Sequence, residues 1–476
     1  MNTFKQKSLY AVVAGLSALG ATGAAQAVSV NHDGLGQALI YPYYTVRESK
    51  VGADFQSLLS VVNSTGSAKA VKVRFLEGKN SREVLDFNLY LSAKDVWTGA
   101  IIKTSDGAAI FTKDTSCTTP KVGTSAATAS KFVNFAYTGS AADKGPTDLD
   151  RTREGYVEII EMGNVIGATA AAVTHGASGS PTCAGLSNNN NTSADTVAGN
   201  GGLFGSMTLI NVLNGEDFAF DATALDGFSS RAIWNLPFSI LPNLADVNPK
   251  TSVVVAGSTV YITDWSASSN TVDAVSAVLM HNNVYNEFVL ETETKSGTDM
   301  VVTFPTKTLY YTGLTVSKLF QSNFGASGAC DDISLFLYNR EERFSETLPD
   351  FSPQPEGETA QICWEANVIT LNDSNVFGSK NKVNVNTSFT SGWASLTFIN
   401  PGPTKHRLVA TGGAGTTTFN TKTGTQGFMS TATYYGLPVI GFAAVTFRND
   451  TLTTPAGPVQ SNYGGNVSHK VTTDIR

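Results

Sequence analysis

Hydrophobic and polar residues alternate strictly in two early stretches of the chain. In the first stretch, Val71, Val73 and Phe75 are separated by Lys72 and Arg74. The second stretch places apolar side chains at every other position, namely Leu85, Phe87, Leu89 and Leu91. Because successive side chains of a strand point to opposite faces, both stretches predict half-buried antiparallel strands. The polar residues 77–81 between them predict a turn.

Short apolar runs separated by Gly- and Asn-containing turns continue along the chain. This pattern is typical of an all-β or mainly β protein, and it resembles immunoglobulin-like antiparallel β-sandwiches in general. That architecture hosts many functions, so the resemblance implies none. We expect few and short helices, with residues 231–241 and 334–344 as the best candidates.

One pentad occurs three times: a hydrophobic residue, Ser or Thr, two hydrophobic residues and Asn. Its copies are residues 59–63, 207–211 and 396–400. Strand, Asn and turn arise easily by chance in a β-rich chain, which is one interpretation. The other interpretation is three related modules, since the copies are far enough apart for that.

A division into modules follows from the second interpretation and from the polar, low-complexity run at residues 187–193. The predicted units are a β-sandwich module with a disulfide-containing insertion, a flexible polar loop, a second β module, and a third β module with a disulfide-bridged, proline-rich loop. They occupy residues 28–186, 187–202, 203–324 and 325–476, respectively.

The first 27 residues have the pattern of a secretory signal peptide. Lys5 and Lys7 precede the small and apolar stretch 9–16, and Ala25-Gln26-Ala27 has the small-x-small form of a cleavage site. A retained membrane helix would need roughly 20 predominantly apolar residues, and glycines interrupt this stretch. We therefore expect cleavage before Val28 and a location in the periplasm, at the cell surface or outside the cell, with no transmembrane helix remaining.

Charge and composition narrow the classes of partner. Removing residues 1–27 takes away two lysines and no acidic residue, so the formal net charge goes from -7 to -9. A chain this acidic lacks the basic face that nucleic-acid binding needs. Hydrophobic residues make up 41% of the chain, which is enough for a packed core and argues against disorder.

Four cysteines fall as one widely spaced pair in each half of the chain. Exported proteins reach an oxidising compartment, so an even number of cysteines predicts disulfides. Pairing between neighbours, Cys117 with Cys183 and Cys330 with Cys363, is favoured among three connectivities. A zinc site is the alternative, but the cysteine and histidine spacings of zinc sites are absent from the sequence.

Catalytic signatures are absent from the sequence. It contains no G-x-S-x-G, no G-x-x-x-x-G-K and no H-E-x-x-H pattern. The histidines occur singly and are interpreted as structural or surface residues: His32, His175, His281, His406 and His469. We predict no catalytic and no cofactor-binding residues.

Clustered aspartates suggest calcium as the one candidate metal. Asp143, Asp148 and Asp150 lie in a loop that contains Gly and Pro, and Asp331 and Asp332 follow Cys330. Carboxylate oxygens are ligands that calcium prefers. Neither group matches the EF-hand pattern, so ordinary solvated loop acids are the alternative interpretation.

Aromatic residues are the other candidate feature, since exposed rings on one face can bind sugars. The tyrosine clusters 41–44, 310–311 and 434–435 place consecutive rings on opposite faces of a strand. We therefore assign them to core packing, together with the five tryptophans Trp97, Trp234, Trp265, Trp364 and Trp393.

Taken together, these patterns favour an exported, non-enzymatic structural or binding protein of the cell surface or periplasm, such as a surface-layer, adhesin-like or matrix component. Its expected partners are other copies of itself or other surface components. Two alternatives stay open: an outer-membrane β-barrel, which shares the alternating strands, and a secreted carbohydrate-active hydrolase whose paired carboxylates are scattered in the sequence.

Overall fold

The computed structural model describes residues 27–176, 179–188, 193–268, 270–310, 319–347, 360–398, 405–455 and 457–476. Three predicted features lie wholly or mostly outside them: the signal peptide up to residue 26, the Asn-rich run at 189–192 and the proline-rich loop at 348–357. Tyr311 is also outside the described residues. These features stay predictions.

The structure is mainly β, as the alternation predicted, with 50% strand and 9% helix. The first fifteen strands are β1 (Ser29–Val30), β2 (Ala38–Thr45), β3 (Gln56–Asn63), β4 (Lys69–Glu77), β5 (Glu83–Leu91), β6 (Val96–Lys103), β7 (Ala108–Phe111), β8 (Cys117–Thr119), β9 (Ser130–Lys131), β10 (Glu154–Val165), β11 (Thr196–Val197), β12 (Leu203–Phe204), β13 (Ser206–Asn211), β14 (Glu216–Asp221) and β15 (Thr223–Asp226).

The remaining strands are β16 (Thr251–Ala256), β17 (Thr259–Asp264), β18 (Met280–His281), β19 (Asn283–Val289), β20 (Gly297–Thr303), β21 (Asp331–Asn339), β22 (Phe344–Thr347), β23 (Ala360–Ile362), β24 (Ala366–Leu371), β25 (Lys382–Val385), β26 (Ser391–Thr397), β27 (Arg407–Asn420), β28 (Gln426–Tyr435), β29 (Leu437–Pro438), β30 (Ile440–Thr454), β31 (Gly457–Ser468), β32 (Lys470–Thr472) and β33 (Asp474–Ile475).

Helices are few and short, as expected. The α-helices of the described residues are α1 (Gly167–Val173) and α2 (Asp273–Leu279). Single 3-10 turns span Ala126–Thr128, Phe135–Tyr137, Gly139–Ala141, Leu149–Arg153, Ser193–Asp195, Leu244–Asp246 and Lys307–Tyr310. Both predicted helices were wrong. Residues 334–339 form a strand because Ile333, Leu335 and Leu337 alternate with less buried residues, and residues 231–241 form no helix.

Five larger sheets and the pair β18–β29 make up the fold. Sheet I has the order β1-β15-β2-β10-β4-β5-β8, with β11 beside β10, and sheet II the order β14-β13-β3-β6-β7-β9, with β12 beside β3. Sheet III is β16-β17-β27-β28-β33, sheet IV is β22-β21-β26-β19-β32 with β23 beside β21, and sheet V is β25-β24-β20-β30-β31. Strand pairs are antiparallel except β24 with β25, which is parallel.

The first two pentads are neighbours in one sheet. Met207 lies opposite Leu59 because β13 pairs with β3 in sheet II. Strands β12 to β15, which the sequence assigned to a second module, therefore complete sheets I and II. The predicted division at residues 187–202 does not coincide with a break in strand pairing.

Two large apolar clusters fill the interior. One joins sheets I and II and includes Tyr41, Val73, Trp97 and Leu209. The other surrounds α2 and includes side chains of sheets III, IV and V as well as Tyr156 and Ile160 of sheet I. Apolar contacts are thus continuous between the N-terminal and C-terminal sheets.

Strand β4 is buried along its whole length, which differs from the half-buried strand that was predicted. Lys72 is 0% exposed because the segment after β15 covers its side chain, and Arg74 is 7% exposed and lies beside Pro305 and Thr308. Lys72 Nζ donates to Leu236 O at 2.9 Å and to Asp86 Oδ2 at 2.7 Å. Alternation therefore reported the strand correctly, while the covering segment could not be inferred from it.

The turn predicted at residues 77–81 is present and connects sheet I with sheet V. Ala366 N donates to Gly78 O at 2.8 Å. Lys79 Nζ donates to Asn381 Oδ1 at 2.9 Å and lies 3.8 Å from the Trp364 ring centroid. Sheet V is thereby attached to the β4–β5 turn.

None of the helices described here is long and apolar enough to cross a membrane.

Candidate functional site

Sheet IV has one buried face and one open face. Leu335 and Leu337 of β21 and Leu396 of β26 point into the apolar interior and are at most 2% exposed. The alternate positions of the same strands, including Tyr338 and Trp393, lie on the opposite face. That outer face carries several aromatic side chains.

Four aromatic residues from four strands form a continuous row on this face, which we call the aromatic ladder. Its members are Phe344, Tyr338, Trp393 and Tyr285, on β22, β21, β26 and β19. Tyr338 and Trp393 are stacked, with ring centroids 4.2 Å apart and planes 8° from parallel. The flanking centroid distances are 6.1 Å from Tyr338 to Phe344 and 6.0 Å from Trp393 to Tyr285.

Strand register explains why these rings meet. Tyr338 lies directly opposite both Phe344 and Trp393, so the three side chains share one face. Trp393 in turn lies opposite Glu287 on β19, and Tyr285 is two residues from Glu287 on the same face. The Glu287 carboxylate therefore lies beside Trp393 and Tyr285, at one end of the ladder.

The Trp393 ring is flanked by Tyr338 on one side and by Tyr285 on the other, and it is still partly exposed. Tyr338 covers the ring from β21, so its other side is directed toward β19, where Glu287 and Tyr285 lie. Trp393 is 40% exposed and Phe344 66% exposed. Glu287 is exposed and has no ion-pair partner within the residues that the structure describes. We call the space bounded by Trp393, Glu287 and Tyr285 the Trp393 seat.

Polar side chains continue the face beyond the ladder. Lys470 of β32 lies opposite Tyr285 and is exposed. Asn283 Nδ2 donates to Thr472 Oγ1 at 3.1 Å, and Thr397 Oγ1 donates to Asn283 Oδ1. An apolar ring face next to both an acidic and a basic side chain suits an amphipathic, hydroxyl-rich ligand.

Cross-strand packing alone accounts for part of the ladder. Aromatic pairs on neighbouring strands stabilise a sheet by roughly 0.2–1 kcal/mol each. That explains the contact between Tyr338 and Trp393, but it gives no reason for the large exposed fractions of Phe344 and Trp393. Exposed aromatic groups that sit in a row are a known signature of binding surfaces.

A second cluster, buried and ionic, lies beside the β4–β5 turn. Arg151 Nε and Nη2 donate to Glu77 at 2.7 and 2.8 Å, and Arg151 Nη1 and Nη2 donate to Asp143 at 2.9 and 2.6 Å. The guanidinium also lies 4.3 Å from the Tyr137 ring centroid. Arg151 and Glu77 are fully buried, so this cluster is internal to the fold and closed to a ligand.

A small cavity lies next to this cluster, between Arg74, Ser81, Tyr156, Glu158 and Thr308. Its volume of about 30 Å³ suits a water molecule rather than a metabolite. Tyr156 donates to Ser81 Oγ, and Ser81 donates to Glu365 Oε2 at 3.0 Å. Burial raises the pKa of Glu365 to about 8. These hydrogen bonds lie inside the fold and end at Glu365, the carboxyl group whose pKa is raised.

Two of the three predicted calcium ligands of the first group contact arginine side chains instead of one another. Asp143 pairs with Arg151, and Asp150 pairs with Arg47 at 2.6 Å and Arg153 at 2.9 Å. Burial acts to raise the pKa of Asp143, but hydrogen bonds from Arg151 and Asn80 lower it to about 2. Asp148 is exposed at the surface.

The second group is arranged in the same way. Asp331 is fully buried between Lys307, at 2.8 Å, and His406, at 3.2 Å. Asp332 accepts from Gln321 and Gln361, each at 2.7 Å. Among the described residues, no group of three or more His, Cys, Asp or Glu side chains is arranged to hold a metal ion. Calcium would have to displace the arginine, lysine and histidine side chains that already contact these carboxylate oxygens.

The five histidines form no single cluster, although His281 and His469 are close enough to interact electrostatically. His281 and His469 are enclosed, and burial lowers the pKa of each to about 4. His406 lies in the Asp331 ion pair, and His32 is exposed. His175 is the best connected of the surface histidines: Nδ1 lies 3.0 Å from Ser92 Oγ and 3.4 Å from Asp95, and Nε2 lies 3.3 Å from Thr115 Oγ1.

The disulfides are those predicted from neighbour pairing, Cys117 with Cys183 and Cys330 with Cys363. Most of the aromatic assignments are also confirmed. Side chains at most 5% exposed include Tyr41, Tyr43, Tyr44, Tyr310, Tyr434, Trp97 and Trp265.

Trp393 departs most from its assignment, since it was assigned to the core and is 40% exposed on the outer face, while Trp234, Trp364 and Tyr435 are half-buried. The other ladder residues, Tyr285, Tyr338 and Phe344, and the carboxylate Glu287 were not singled out in the sequence. The alternation of Ile333, Leu335 and Leu337 with Phe336 and Tyr338 was the one signal that could have shown a strand with two aromatic outer positions.

Comparison of this chain with protein-family models, with curated proteins and with solved structures finds no match in any of the three.

Proposed function

We propose that this chain is an exported, non-enzymatic binding protein of the cell surface or periplasm whose ligand is a neutral glycan, bound at the Trp393 seat. The observation that carries the proposal is the half-exposed Trp393 ring, covered on one side by Tyr338 and directed on the other toward Glu287.

The chemistry of a pyranose ring matches this surface. Its C–H face is apolar and packs on an aromatic ring, while its hydroxyl groups are directed sideways. Hydrogen bonds from hydroxyls to an ionised carboxylate are stronger than those to a neutral acceptor, so Glu287 supplies orientation as well as affinity. Lys470, opposite Tyr285, is a donor for hydroxyl oxygens on the neighbouring sugar.

Charge favours a neutral glycan over a polyanion. The formal net charge of the chain is -7, and the carboxylate of the seat would repel an acidic sugar placed next to it. A row of rings that spans four strands also suits a polymer better than a monosaccharide, because Tyr338 and Phe344 offer apolar contacts beyond the seat.

Export rests on the signal-peptide pattern of residues 1–27 and agrees with two disulfides, which form in oxidising compartments. Within this proposal, the facing sheets I and II are an immunoglobulin-like sandwich that carries sheet IV, and the ladder attaches the protein to a polysaccharide of the surface or matrix. Contacts with further copies of the chain then act through the shared polymer.

A panel of polysaccharides tests the proposal. The full chain is passed through native gels that contain neutral, amino-sugar or uronic-acid polymers, and its mobility is compared with that of Trp393→Ala. Retardation by a neutral polymer that the variant lacks is expected. Failure of every neutral polymer to retard the chain, or equal retardation of both proteins, contradicts the proposal.

A further inference from the structure

A buried lysine contacts two asparagine amides and a glutamate in sheet I. Lys69 lies on β4, Glu161 and Asn164 lie on β10, and Asn200 lies just before β12. The Lys69 and Glu161 side chains are both 0% exposed. Lys69 Nζ is paired with Glu161 Oε1 and lies 2.9 Å from Asn164 Oδ1 and 2.5 Å from Asn200 Oδ1.

The loop that carries Asn200 is fitted closely around Glu161. Gly201 N donates to Glu161 Oε2 at 3.0 Å and Asn200 N donates to Oε1 at 3.3 Å. A Cβ at Gly199 would lie 2.3 Å from the Glu161 carboxyl carbon, so a larger residue there would displace the carboxylate. The amide of Asn200 is therefore held against Lys69 by backbone contacts as well as by its own side chain.

We propose that Lys69 and Asn200 become joined by an intramolecular isopeptide bond, with Glu161 as the acid and base. The reaction begins with transfer of a proton from the Lys69 ammonium to Glu161 Oε1, with which it is paired. Lys69 Nζ then forms a bond to Cγ of Asn200, while the protonated Glu161 donates to the amide oxygen.

The remaining atoms are accounted for by one leaving group. The Cγ–Nδ2 bond of Asn200 breaks, Glu161 relays the proton lost by Nζ to Nδ2, and ammonia departs. No atom changes its oxidation state, so the reaction needs neither oxidant nor cofactor. Asn200 is exposed as a residue although its Oδ1 is directed to Lys69, which gives ammonia a path to solvent.

Asn200 is the acceptor rather than Asn164 because of geometry. Asn200 Oδ1 is the nearer amide oxygen, and its backbone is held by the same Glu161 that moves the proton. Asn164 lies directly opposite Lys69 in the strand pairing and uses its Nδ2 to donate to Ala198 O at 3.3 Å. The Asn164 amide nitrogen, which would have to leave, is thus already hydrogen-bonded.

Other buried lysines lack this combination. Lys72 and Lys307 each pair with an aspartate, Asp86 and Asp331, and the carbon of a carboxylate is a poor electrophile. Asp331 in addition accepts from His406 and Gln321. Only Lys69, among the lysines that the structure describes as fully buried, contacts an amide and a glutamate together.

The bond is measured on the full chain after export, with disulfides reduced. Mass spectrometry of the intact protein is expected to show a mass lower by one ammonia than the sequence requires. Because no Lys or Arg lies between Arg153 and Arg231, trypsin leaves Asn164 and Asn200 on one peptide. Fragment ions of the branched peptide must therefore place the Lys69 branch at Asn200.

Variants separate this bond from other losses of ammonia. Asn200→Ala, Lys69→Arg and Glu161→Gln are each expected to restore the full mass, and Asn164→Ala, the matched control, to keep the loss. Asn200 also precedes a glycine, where a backbone succinimide releases ammonia without a lysine. Retention of the loss in Lys69→Arg would show that reaction and overturn the proposal, as would a full intact mass in the unmodified chain or a branch at Asn164.

Discussion

Trp393 and Tyr338 stack face to face across neighbouring strands of sheet IV, with ring centroids 4.2 Å apart. Stacking covers one face of Trp393, while the side chain stays 40% exposed and lies opposite Glu287. The contact thus has two roles, since it stabilises the sheet and fixes the orientation of the ring that we propose to contact sugar. These roles make different predictions for substitution.

Tyr338→Ala tests the first role. Loss of an aromatic pair is expected to lower the free energy of unfolding by about 1 kcal/mol, because offset or stacked rings contribute roughly 0.5–1.5 kcal/mol beyond their buried area. Urea unfolding followed by far-UV circular dichroism measures it. Phe428→Ala is the control, since Phe428 is 65% exposed on sheet III and has no place in the ladder. Equal destabilisation by the two substitutions would argue against a specific stacking contribution.

Arg151→Met is expected to be far more damaging. It leaves Glu77 and Asp143 buried without their shared cation, and breaking a buried ion pair lowers stability by about 3–5 kcal/mol. Arg153→Met is the matched control, since Arg153 pairs with the partly exposed Asp150 and should lose at most about 1 kcal/mol. Thermal unfolding of both variants measures the contrast. Similar losses in the two would show that burial of the Arg151 cluster is unimportant.

Stability should depend on pH through Glu365. Burial raises its pKa in the folded chain to about 8 from an ordinary value of 4.5. Between these values the folded chain retains a proton that the unfolded chain has lost, so stability falls as pH rises through this window. Glu365→Gln removes the titration.

The comparison of wild type with Glu365→Gln isolates this group, because other titrating groups are common to both proteins. The quantity to follow is the unfolding free energy of the variant minus that of wild type. From about pH 5 to about pH 8, this difference is expected to increase by about 1.4 kcal/mol per pH unit. Urea unfolding at a series of pH values measures the gain. A difference that is constant with pH would mean that Glu365 titrates alike in both states.

The disulfide near α1 offers a test of how independent the ladder is. Replacing Cys117 and Cys183 by serine should lower stability by about 2–5 kcal/mol, because the bridge closes a long loop of the unfolded chain. Binding of the polysaccharide should be unchanged in the protein that stays folded, since neither cysteine lies on sheet IV. Loss of binding with the fold intact would place the site elsewhere.

Much of the fold was readable in the sequence because local chemistry determined it. Alternation over residues 71–75 and 85–91 indicated strands, and the polar residues 77–81 indicated their turn. Neighbour pairing of the cysteines was sufficient because both bridges close loops within one half of the chain. The burial of Lys72 was not readable, since it depends on residues 235–238, which are remote in sequence.

The ladder could not be predicted for the same reason. Tyr338 and Phe344 are close in sequence, but Tyr285 and Trp393 are remote from them, and only the register of β21 between β22 and β26 brings Phe344, Tyr338 and Trp393 to one row. Apolar neighbours of Trp393 in sequence favoured a core position, yet those neighbours, Ala394 and Leu396, face inward while the ring faces outward.

The most direct test of the central claim is calorimetric titration of a neutral polysaccharide into the wild type, Trp393→Ala, Glu287→Gln and Phe428→Ala. We predict measurable binding to wild type and Phe428→Ala, a loss of at least about tenfold in affinity for Trp393→Ala, equivalent to about 1.4 kcal/mol, and a smaller loss for Glu287→Gln. Undiminished binding by Trp393→Ala, in a protein whose circular dichroism matches wild type, would contradict the claim.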